Sequence, residues 1–251
     1  ILKNRFKNQW ICIFGLLLLI FTPRLFGNSF FNVKDIVFLS LYIIALFYYF
    51  KTIDKNSFSS IILFSLFSAM ATTMRIVGVF LPLSLIFFWL LSVISQRKDF
   101  KISFLLTYLG FYFFFLIIFW PLLWENTFEN FLSYFEILNN YFASKVLFLG
   151  NYYPSGKLPN YYLVFWILIS TPVIHSILFL SGLAFYTLRI TKRFFQIKSE
   201  SLHNDLWRSS NEKKDFLIFI NLIIFFLFFT FMNVTLYNGW RIAYFMYIFL
   251  I

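Results

Sequence analysis

The chain carries a series of apolar runs that are each about as long as the hydrocarbon layer of a membrane is thick. Hydrophobic residues make up 61% of its 251 residues and charged residues only 12%, so a soluble domain of this size would expose much apolar surface. A helix crosses about 30 Å of hydrocarbon with roughly 20 residues. The runs therefore predict an all-α fold, a polytopic transmembrane helical bundle that forms one domain over residues 1–251.

Seven spans and the start of an eighth are predicted, alternating in direction across the membrane. They cover Trp10–Phe26, Ile36–Phe50, Phe58–Thr73, Ile76–Ile94, Ile102–Trp120, Tyr162–Leu188 and Phe216–Tyr237, and the eighth begins at Trp240. Several runs are short, which favours tilted or incomplete spans. Pro172 lies inside the sixth run and predicts a kink there, because proline removes a backbone donor.

The basic residues fall into two sets when they are sorted by the loops between the runs. Of the 21 Lys and Arg residues, 15 lie in one set of loops; the other six are Arg24, Lys34, Arg75, Lys145, Lys157 and Arg241. An excess of Lys and Arg marks cytoplasmic loops, so the larger set is predicted to be cytoplasmic. The net charge of +11 is then explained by topology, and nucleic acid is not expected as a partner because no basic-aromatic binding module accompanies it.

This register predicts which loops face outward. The outer segments are Pro23–Asp35, Thr73–Arg75, Pro121–Tyr161 and Asn238–Arg241. Residues 121–161 form an extracytoplasmic loop, in which apolar residues spaced by three or four positions from Phe128 to Phe142 predict an amphipathic helix along the membrane interface. The NYYPSGKLPNYY stretch that follows predicts a turn at the aromatic belt. Residues 191–215 predict a solvated cytoplasmic loop without a fold of its own.

Asp35 is the first candidate functional residue. Placing an ionisable side chain at the boundary of a membrane span costs free energy, and such residues commonly have a function. The alternative is a structural one, in which Asp35 caps the following helix and complements its dipole. Arg75 lies at a corner between two apolar runs. It is expected to bind phosphate oxygens, to form a structural ion pair, or to extend to the lipid headgroups.

The remaining candidates lie in the same outer segments. They are Arg24, Lys34, Glu125, Lys157, Asn238 and Arg241. For Arg24 and Lys34, substrate contact competes with anchoring at lipid headgroups, and for Arg241 it competes with anchoring at the membrane interface beside Trp240. For Lys157 the alternative is a mobile solvated loop residue, and for Glu125 acceptor or metal binding competes with a solvated loop carboxylate. His175, within the sixth run, is expected to have a hydrogen-bonded packing role.

The order of these motifs resembles the GT-C superfamily of membrane glycosyltransferases, and most closely its family 39, protein-mannosyltransferase-like and aminoarabinose-transferase-like branch. The likeness rests on PRLFGNSFFNVKD, the basic corner at Arg75, PLLWENTFENF leading to LPNYYLVFWILISTP, and LYNGWRIAYF. It covers nearly all of the chain, from Pro23 to Phe245. The chain departs from the pattern at Asn28, Asn238 and Ile242, where close relatives often carry Asp or His, Asp, and His respectively.

The resemblance implies transfer of a hexosyl or pentosyl group from a polyprenyl-phosphate carrier to an unidentified lipid, glycan or protein acceptor, with inversion. Asp35 matches the family's second acidic motif, as catalytic carboxylate or metal ligand, and the first such motif is expected upstream of Ile1. Carrier phosphate would be released against Arg75 and Arg241. A divalent metal, Mg²⁺ or Mn²⁺, is an option that the resemblance leaves open and does not require. The expected location is a bacterial inner membrane, among its lipids, with the active site facing the periplasm or exterior.

Two other functions remain open on the sequence. A secondary transporter or flippase would place charges near the bilayer midplane and show repeats, whereas here the candidate charges gather at the outer ends and no repeat is visible. A catalytically inactive GT-C-like scaffold would keep the fold without turnover. An acidic residue in the upstream outer loop would argue against that scaffold.

Overall fold

A computed structural model describes residues 1–6, 8–55, 57–94, 101–139, 145–195, 207–231, 234–236 and 239–250. In this part of the chain the fold is helical, apart from one two-stranded hairpin. The α-helices are α1 (Leu2–Arg5), α2 (Gln9–Ile20), α3 (Pro23–Ser29), α4 (Val33–Lys55), α5 (Phe58–Met74), α6 (Phe80–Ile94), α7 (Ile102–Phe119), α8 (Thr127–Asn139), α9 (Tyr162–Ser170), α10 (Val173–Phe195), α11 (Ser210–Phe231) and α12 (Tyr247–Leu250). Short 3₁₀ helices occupy Ile76–Val79, Pro121–Leu123 and Arg241–Met246. The all-α prediction is thereby confirmed in its main feature.

Five of these segments are long and apolar enough to cross a membrane. They are Val33–Lys55, Ile76–Ile94, Ile102–Phe119, Val173–Arg193 and Ser210–Phe231. Helix α5 is similarly apolar but shorter, with 17 residues. Helices of this length and composition are compatible with an integral membrane protein.

The predicted first span is wrong as one continuous helix. Helix α2 ends at Ile20 and α3 begins at Pro23, with a bend of 61° between them. Thr22 is extended before Pro23, because a proline ring disfavours helical backbone at the preceding residue. The bend turns Arg24 and Asn28 onto a separate short helix.

The predicted sixth span and the polar loop after it also need correction. The chain breaks at Thr171 and Pro172, as the proline predicts, but α10 then continues to Phe195, beyond Leu188. Residues 191–195 and 210–215 are therefore helical, whereas a loop was predicted over 191–215; residues 196–206 lie outside the described residues. Ion pairs stabilise these helix ends: Arg193 donates to both Glu212 oxygens at 2.7 and 2.9 Å.

The predicted outer loop of residues 121–161 contains both an expected and an unexpected element. Helix α8 lies where the amphipathic pattern predicts it, although Phe142 falls outside the described residues. Strands β1 (Lys145–Phe148) and β2 (Asn151–Pro154) form an antiparallel hairpin that the sequence did not predict. The buried Phe148 side chain packs on Tyr162 at a ring distance of 4.8 Å, so the hairpin docks on the start of α9.

The last predicted span and the observed helix α11 also end at different residues. Helix α11 stops at Phe231, while the predicted end, Tyr237, lies outside the described residues. The chain after Trp240 is helical, as predicted, but it begins as the Arg241–Met246 3₁₀ helix before α12. Phe245 of this segment packs against Phe38 and Phe225 at ring distances of 5.2 and 4.7 Å.

Helix α4 has an acidic residue near each end. Asp35 and Asp54 are 19 positions apart, which is about 28 Å along a helix that rises ~1.5 Å per residue. Arg75 contacts Asp35, whereas Lys214 contacts Asp54 at 2.5 Å. Arg75 and Lys214, which the charge pattern assigns to opposite sides of a membrane, thus lie at opposite ends of one helix, separated by nearly the thickness of its hydrocarbon core.

The close packing after α5 yields a prediction for glycine substitutions. A Cβ on Gly78 would lie 2.5 Å from the backbone nitrogen of Thr72, whereas a Cβ on Gly110 in α7 would meet nothing within 4 Å. Because backbone atoms cannot move aside cheaply, Gly78→Ala should lower the free energy of unfolding by about 1–3 kcal/mol. Gly110→Ala should be neutral or stabilising by up to ~1 kcal/mol. Denaturant titration in detergent measures both, and equal effects would contradict this packing.

Candidate functional site

Asp35 is the third residue of α4 and is almost fully buried, with 2% of its surface exposed. The Asn32 side chain accepts a hydrogen bond from the Asp35 backbone N–H at 3.3 Å, an arrangement that satisfies one of the free donors at a helix start. Asn32 is therefore the cap, and the alternative in which Asp35 itself caps α4 is wrong. The carboxylate still lies at the positive end of the helix dipole.

Arg75 ends α5 in an extended conformation and brings its guanidinium to Asp35. Its φ and ψ are −150° and 129°, so the chain turns sharply into the Ile76–Val79 3₁₀ helix. The Nη2 group donates to Asp35 Oδ1, and only 13% of the Arg75 side chain is exposed. Of the alternatives for Arg75, the structure shows the ion pair with Asp35; contact with phosphate stays a prediction.

Arg241 reaches the second oxygen of the same carboxylate. Its Nε donates to Asp35 Oδ2 at 2.6 Å, and its Nη2 to Asn32 Oδ1 at 3.4 Å. The turn before it depends on Gly239, whose φ of +72° favours glycine. Tyr162 donates its hydroxyl to the Gly239 carbonyl at 3.2 Å, which fixes the turn against α9.

Both oxygens of the Asp35 carboxylate are thus occupied. Oδ1 accepts from Arg75, and Oδ2 accepts from Arg241 and from the Asn32 amide. Nearby cations and donated hydrogen bonds both favour the ionised form of a carboxyl group. In this arrangement Asp35 orients two guanidinium groups, and three of the roughly four acceptor positions of its carboxylate are used within the protein.

Arg24 lies close to this cluster but has no carboxylate partner among the described residues. Its guanidinium stacks on Trp166 and Tyr244, 5.2 and 5.8 Å from the ring centres. Its Nη1 is buried and has no hydrogen-bond acceptor in the described part of the chain. A Cβ on Gly239 would lie 2.8 Å from Arg24 Nη2, so the glycine also permits the turn to approach this arginine.

A chain of amides links Arg24 to Asp35. Asn28 donates to the Tyr244 hydroxyl at 3.4 Å and to the Arg24 carbonyl at 2.8 Å. The Asn32 amide donates to Asn28 Oδ1 at 3.4 Å. The described structure therefore joins α3, α4, α5 and the Arg241–Met246 segment in one polar network.

The structure brings some of the predicted site residues together and leaves others apart. Arg24, Asp35, Arg75 and Arg241 gather at one end of the bundle, with Lys34 exposed beside Asp35. Glu125 and Lys157 are exposed, and in the described part of the chain no hydrogen bond or ion pair joins either of them to the cluster. Asn238 lies outside the described residues.

Sequence reasoning missed Asn32 and Tyr244 as members of the network. Asn32 stands three residues before Asp35, which is the spacing of a side chain that caps a helix. That spacing could have identified the cap. Nothing local marks Tyr244, because its role depends on the approach of α3 from a distant part of the chain.

The expected Mg²⁺ or Mn²⁺ does not fit the described residues. No group of three His, Cys, Asp or Glu side chains that could hold a metal ion occurs among them. A divalent ion at Asp35 would also displace one guanidinium and be repelled by the other.

Comparison with known proteins identifies no family. The chain matches no family model, no curated protein and no solved structure.

The ion-pair geometry predicts a large structural effect of neutralising Asp35. Asp35→Asn would leave Arg75 and Arg241 without their carboxylate, and removing one partner of a buried pair is strongly destabilising. Because both arginines keep some exposure, we expect a loss of roughly 2–4 kcal/mol in unfolding free energy. The exposed neighbour serves as the control: Lys34→Gln should change it by less than about 0.5 kcal/mol. Unfolding titrations in detergent that gave equal values would contradict the pairing.

Proposed function

We propose that the protein is an integral membrane glycosyltransferase of the GT-C kind, which moves a sugar from a polyprenyl-phosphate carrier to an acceptor hydroxyl. The observation that carries this proposal is the excess of positive charge around Asp35. Arg24, Lys34, Arg75 and Arg241 gather near this single acid. A site of that charge suits an anionic phosphate at a membrane interface.

The proposed reaction follows from the chemistry of the donor. The acceptor oxygen forms a bond to the anomeric carbon, while the bond from that carbon to the phosphate oxygen breaks. The phosphate leaves with the bonding electron pair, and the acceptor hydroxyl gives its proton to the outer carboxylate proposed for the acceptor side, Glu125. Fixed guanidinium groups favour this step because they stabilise the negative charge that develops on the leaving phosphate.

The described geometry supports different roles for the cations. Arg75 and Arg241 are held by Asp35, so we propose that Asp35 acts as a positioning residue, whereas the resemblance implied a catalytic carboxylate or a metal ligand. Arg24 has no carboxylate partner among the described residues, and we propose that it contacts the donor phosphate directly. Glu125 is the outer acid that we propose for the acceptor side.

The proposed location is a bacterial inner membrane with the cluster on the outer side. Five helices of suitable length support the membrane assignment, and the excess of Lys and Arg in the other loops supports the orientation. The partners in this proposal are the carrier lipid, surrounding membrane lipids and a lipid, glycan or protein acceptor.

An inactive scaffold of the same fold is the second candidate, and one observation favours it. Both Asp35 oxygens are already bonded within the protein, as expected of a purely structural ion-pair cluster. In a scaffold the cluster would serve folding alone. Neutralising Arg24 would then leave sugar transfer unchanged, because the protein itself would catalyse none.

The proposal predicts loss of sugar transfer when Arg24 is neutralised. Membranes that carry the protein would be given a labelled polyprenyl-phosphate sugar, and label in acceptor and release of polyprenyl phosphate would both be measured. Arg24→Gln should lower transfer at least about tenfold, since hydrogen bonds to charged groups contribute roughly 1.5–3 kcal/mol. Lys192→Gln, an exposed cation in α10, is the matched control and should transfer like the wild type.

Two outcomes would contradict the proposal. Equal transfer by Arg24→Gln and wild type would remove Arg24 from the site. Absence of transfer from every polyprenyl-phosphate sugar tried, with the protein folded in the membrane, would favour the scaffold.

A further inference from the structure

A cavity of about 370 Å³ lies between α1, α4, α10, α11 and α12, which is the size of a small-molecule site. Most of its lining is apolar and includes Phe50 of α4, Leu183 of α10 and Phe219 of α11. The polar residues that line it are Arg5, Tyr186, Lys214 and Asp215. The position of these four determines what kind of ligand the cavity suits.

The four polar residues lie together at one end of the cavity. Arg5 donates from Nε and Nη2 to the two Asp215 oxygens, at 3.1 and 3.0 Å, and Lys214 precedes Asp215 in α11. The guanidinium of Arg189 connects Tyr186 to them, because it stacks on the Tyr186 ring at 4.9 Å and donates to Asp215 at 3.5 Å. The cavity therefore has an apolar body and one charged end.

The apolar body is open to the membrane and has the depth of one lipid leaflet. Leu178 both lines the cavity and is 44% exposed, so the cavity opens beside α10. The lining of α10 runs from Leu178 to Tyr186, which is about 12 Å at ~1.5 Å per residue. Half of a hydrocarbon layer of about 30 Å is roughly 15 Å, so an acyl chain of one leaflet would reach along this lining.

Arg5 keeps an accessible donor at the charged end. Its Nε and Nη2 pair with Asp215, whereas its Nη1 makes no hydrogen bond with the described residues and is not buried. The Arg5 side chain is 34% exposed, and the residue itself lines the cavity. An anionic group at this end of a ligand can therefore accept a hydrogen bond from Arg5.

The cations at this end exceed the acids. Asp215 is held by both Arg5 bonds, and Glu212 accepts from Arg193 at 2.7 and 2.9 Å. Arg189 reaches these two acids only at 3.5 and 3.9 Å, and 33% of its side chain is exposed. Three cations of the same helices have no acid partner in the described ranges: Lys3, Lys51 and Lys192. This surface attracts anionic headgroups.

We infer that the cavity binds one acyl chain of an anionic glycerophospholipid, taken from the leaflet on the Asp54 side, with the headgroup phosphate at Arg5 and Arg189. An apolar peptide would fit the body of the cavity but would bring no anion to its charged end. A zwitterionic phospholipid would bring an ammonium group to a basic surface. The site lies at the opposite end of α4 from the Asp35 cluster, and the inference does not depend on sugar transfer.

The test counts lipids on the whole protein by native mass spectrometry after purification in a delipidating detergent. The probes are dioleoylphosphatidylglycerol and dioleoylphosphatidylcholine, which have the same chains and the same phosphate but differ in net charge. The wild type should bind a first phosphatidylglycerol at least about tenfold more tightly than phosphatidylcholine, because several basic residues near an anionic headgroup each contribute.

Two glycines provide a matched pair for the acyl chain. Gly182 lines the cavity, and a Cβ on it would meet nothing within 4 Å, so Gly182→Phe fills the cavity without a clash. This variant should weaken binding of the first phosphatidylglycerol at least about tenfold, because burial of the chain is lost. Gly110→Phe in α7 is equally unhindered and lies outside the lining, and it should bind like the wild type. Leu183→Trp is a second filling variant, used if Gly182→Phe does not fold.

Two cations provide a matched pair for the headgroup. Arg189→Gln should lower the preference for phosphatidylglycerol over phosphatidylcholine about fivefold and leave binding of phosphatidylcholine unchanged. Lys101→Gln removes an exposed cation at the start of α7 and should keep the preference. Thermal unfolding followed by circular dichroism verifies that each variant is folded.

Three results would overturn the inference. The first is equal affinity of the wild type for the two lipids. The second is binding of phosphatidylglycerol by the folded cavity-filling variants as tightly as by Gly110→Phe, which would place the lipid elsewhere on the surface. The third is the same lipid preference in Arg189→Gln and Lys101→Gln.

Discussion

The ion pairs of Asp35 with Arg75 and Arg241 are the constraint on which the described arrangement of this end of the bundle depends. A carboxylate that is 2% exposed cannot remain charged without partners, because desolvation of an ion costs several kcal/mol. The partners come from positions 40 and 206 residues away in the chain. Ion pairing to this one carboxylate therefore fixes the end of α5 and the start of the Arg241–Met246 helix against α4.

The two ends of the bundle differ in how completely their charges are paired. At the far end of α4, three acids, Asp54, Glu212 and Asp215, pair with four cations, Lys214, Arg193, Arg189 and Arg5. At the near end one acid serves two arginines, and Arg24 is left with aromatic rings as neighbours in the described structure. This asymmetry is the physical basis of the proposed phosphate site, since a purely structural cluster would be expected to be closer to neutral.

The sequence predicts helices well where an apolar run continues without interruption and poorly where the chain turns. The runs at α4, α6, α7 and α11 correspond to apolar helices, because burial and the satisfaction of backbone groups both favour helix there. The bend at Pro23 and the hairpin at residues 145–154 depend on docking against distant residues, as Phe148 on α9 illustrates. Local pattern carries little information about such contacts.

The candidate site shows the same division. The sequence identifies Arg24, Asp35, Arg75 and Arg241 as charges in outer segments, and the structure places all four at one end. It could not reveal that the arginines pair with Asp35, because pairing depends on helix packing. Exposed Glu125 and Lys157 remain predictions from position in the chain alone.

The most direct test of the ion-pair account is a double-mutant cycle between Asp35 and Arg75. The free energy of unfolding would be measured for wild type, Asp35→Asn, Arg75→Gln and the double variant in one detergent. The structure predicts non-additive losses, with a coupling energy of at least about 1 kcal/mol. Additive losses would show that the two residues do not interact, and would contradict the arrangement from which the proposed site is built.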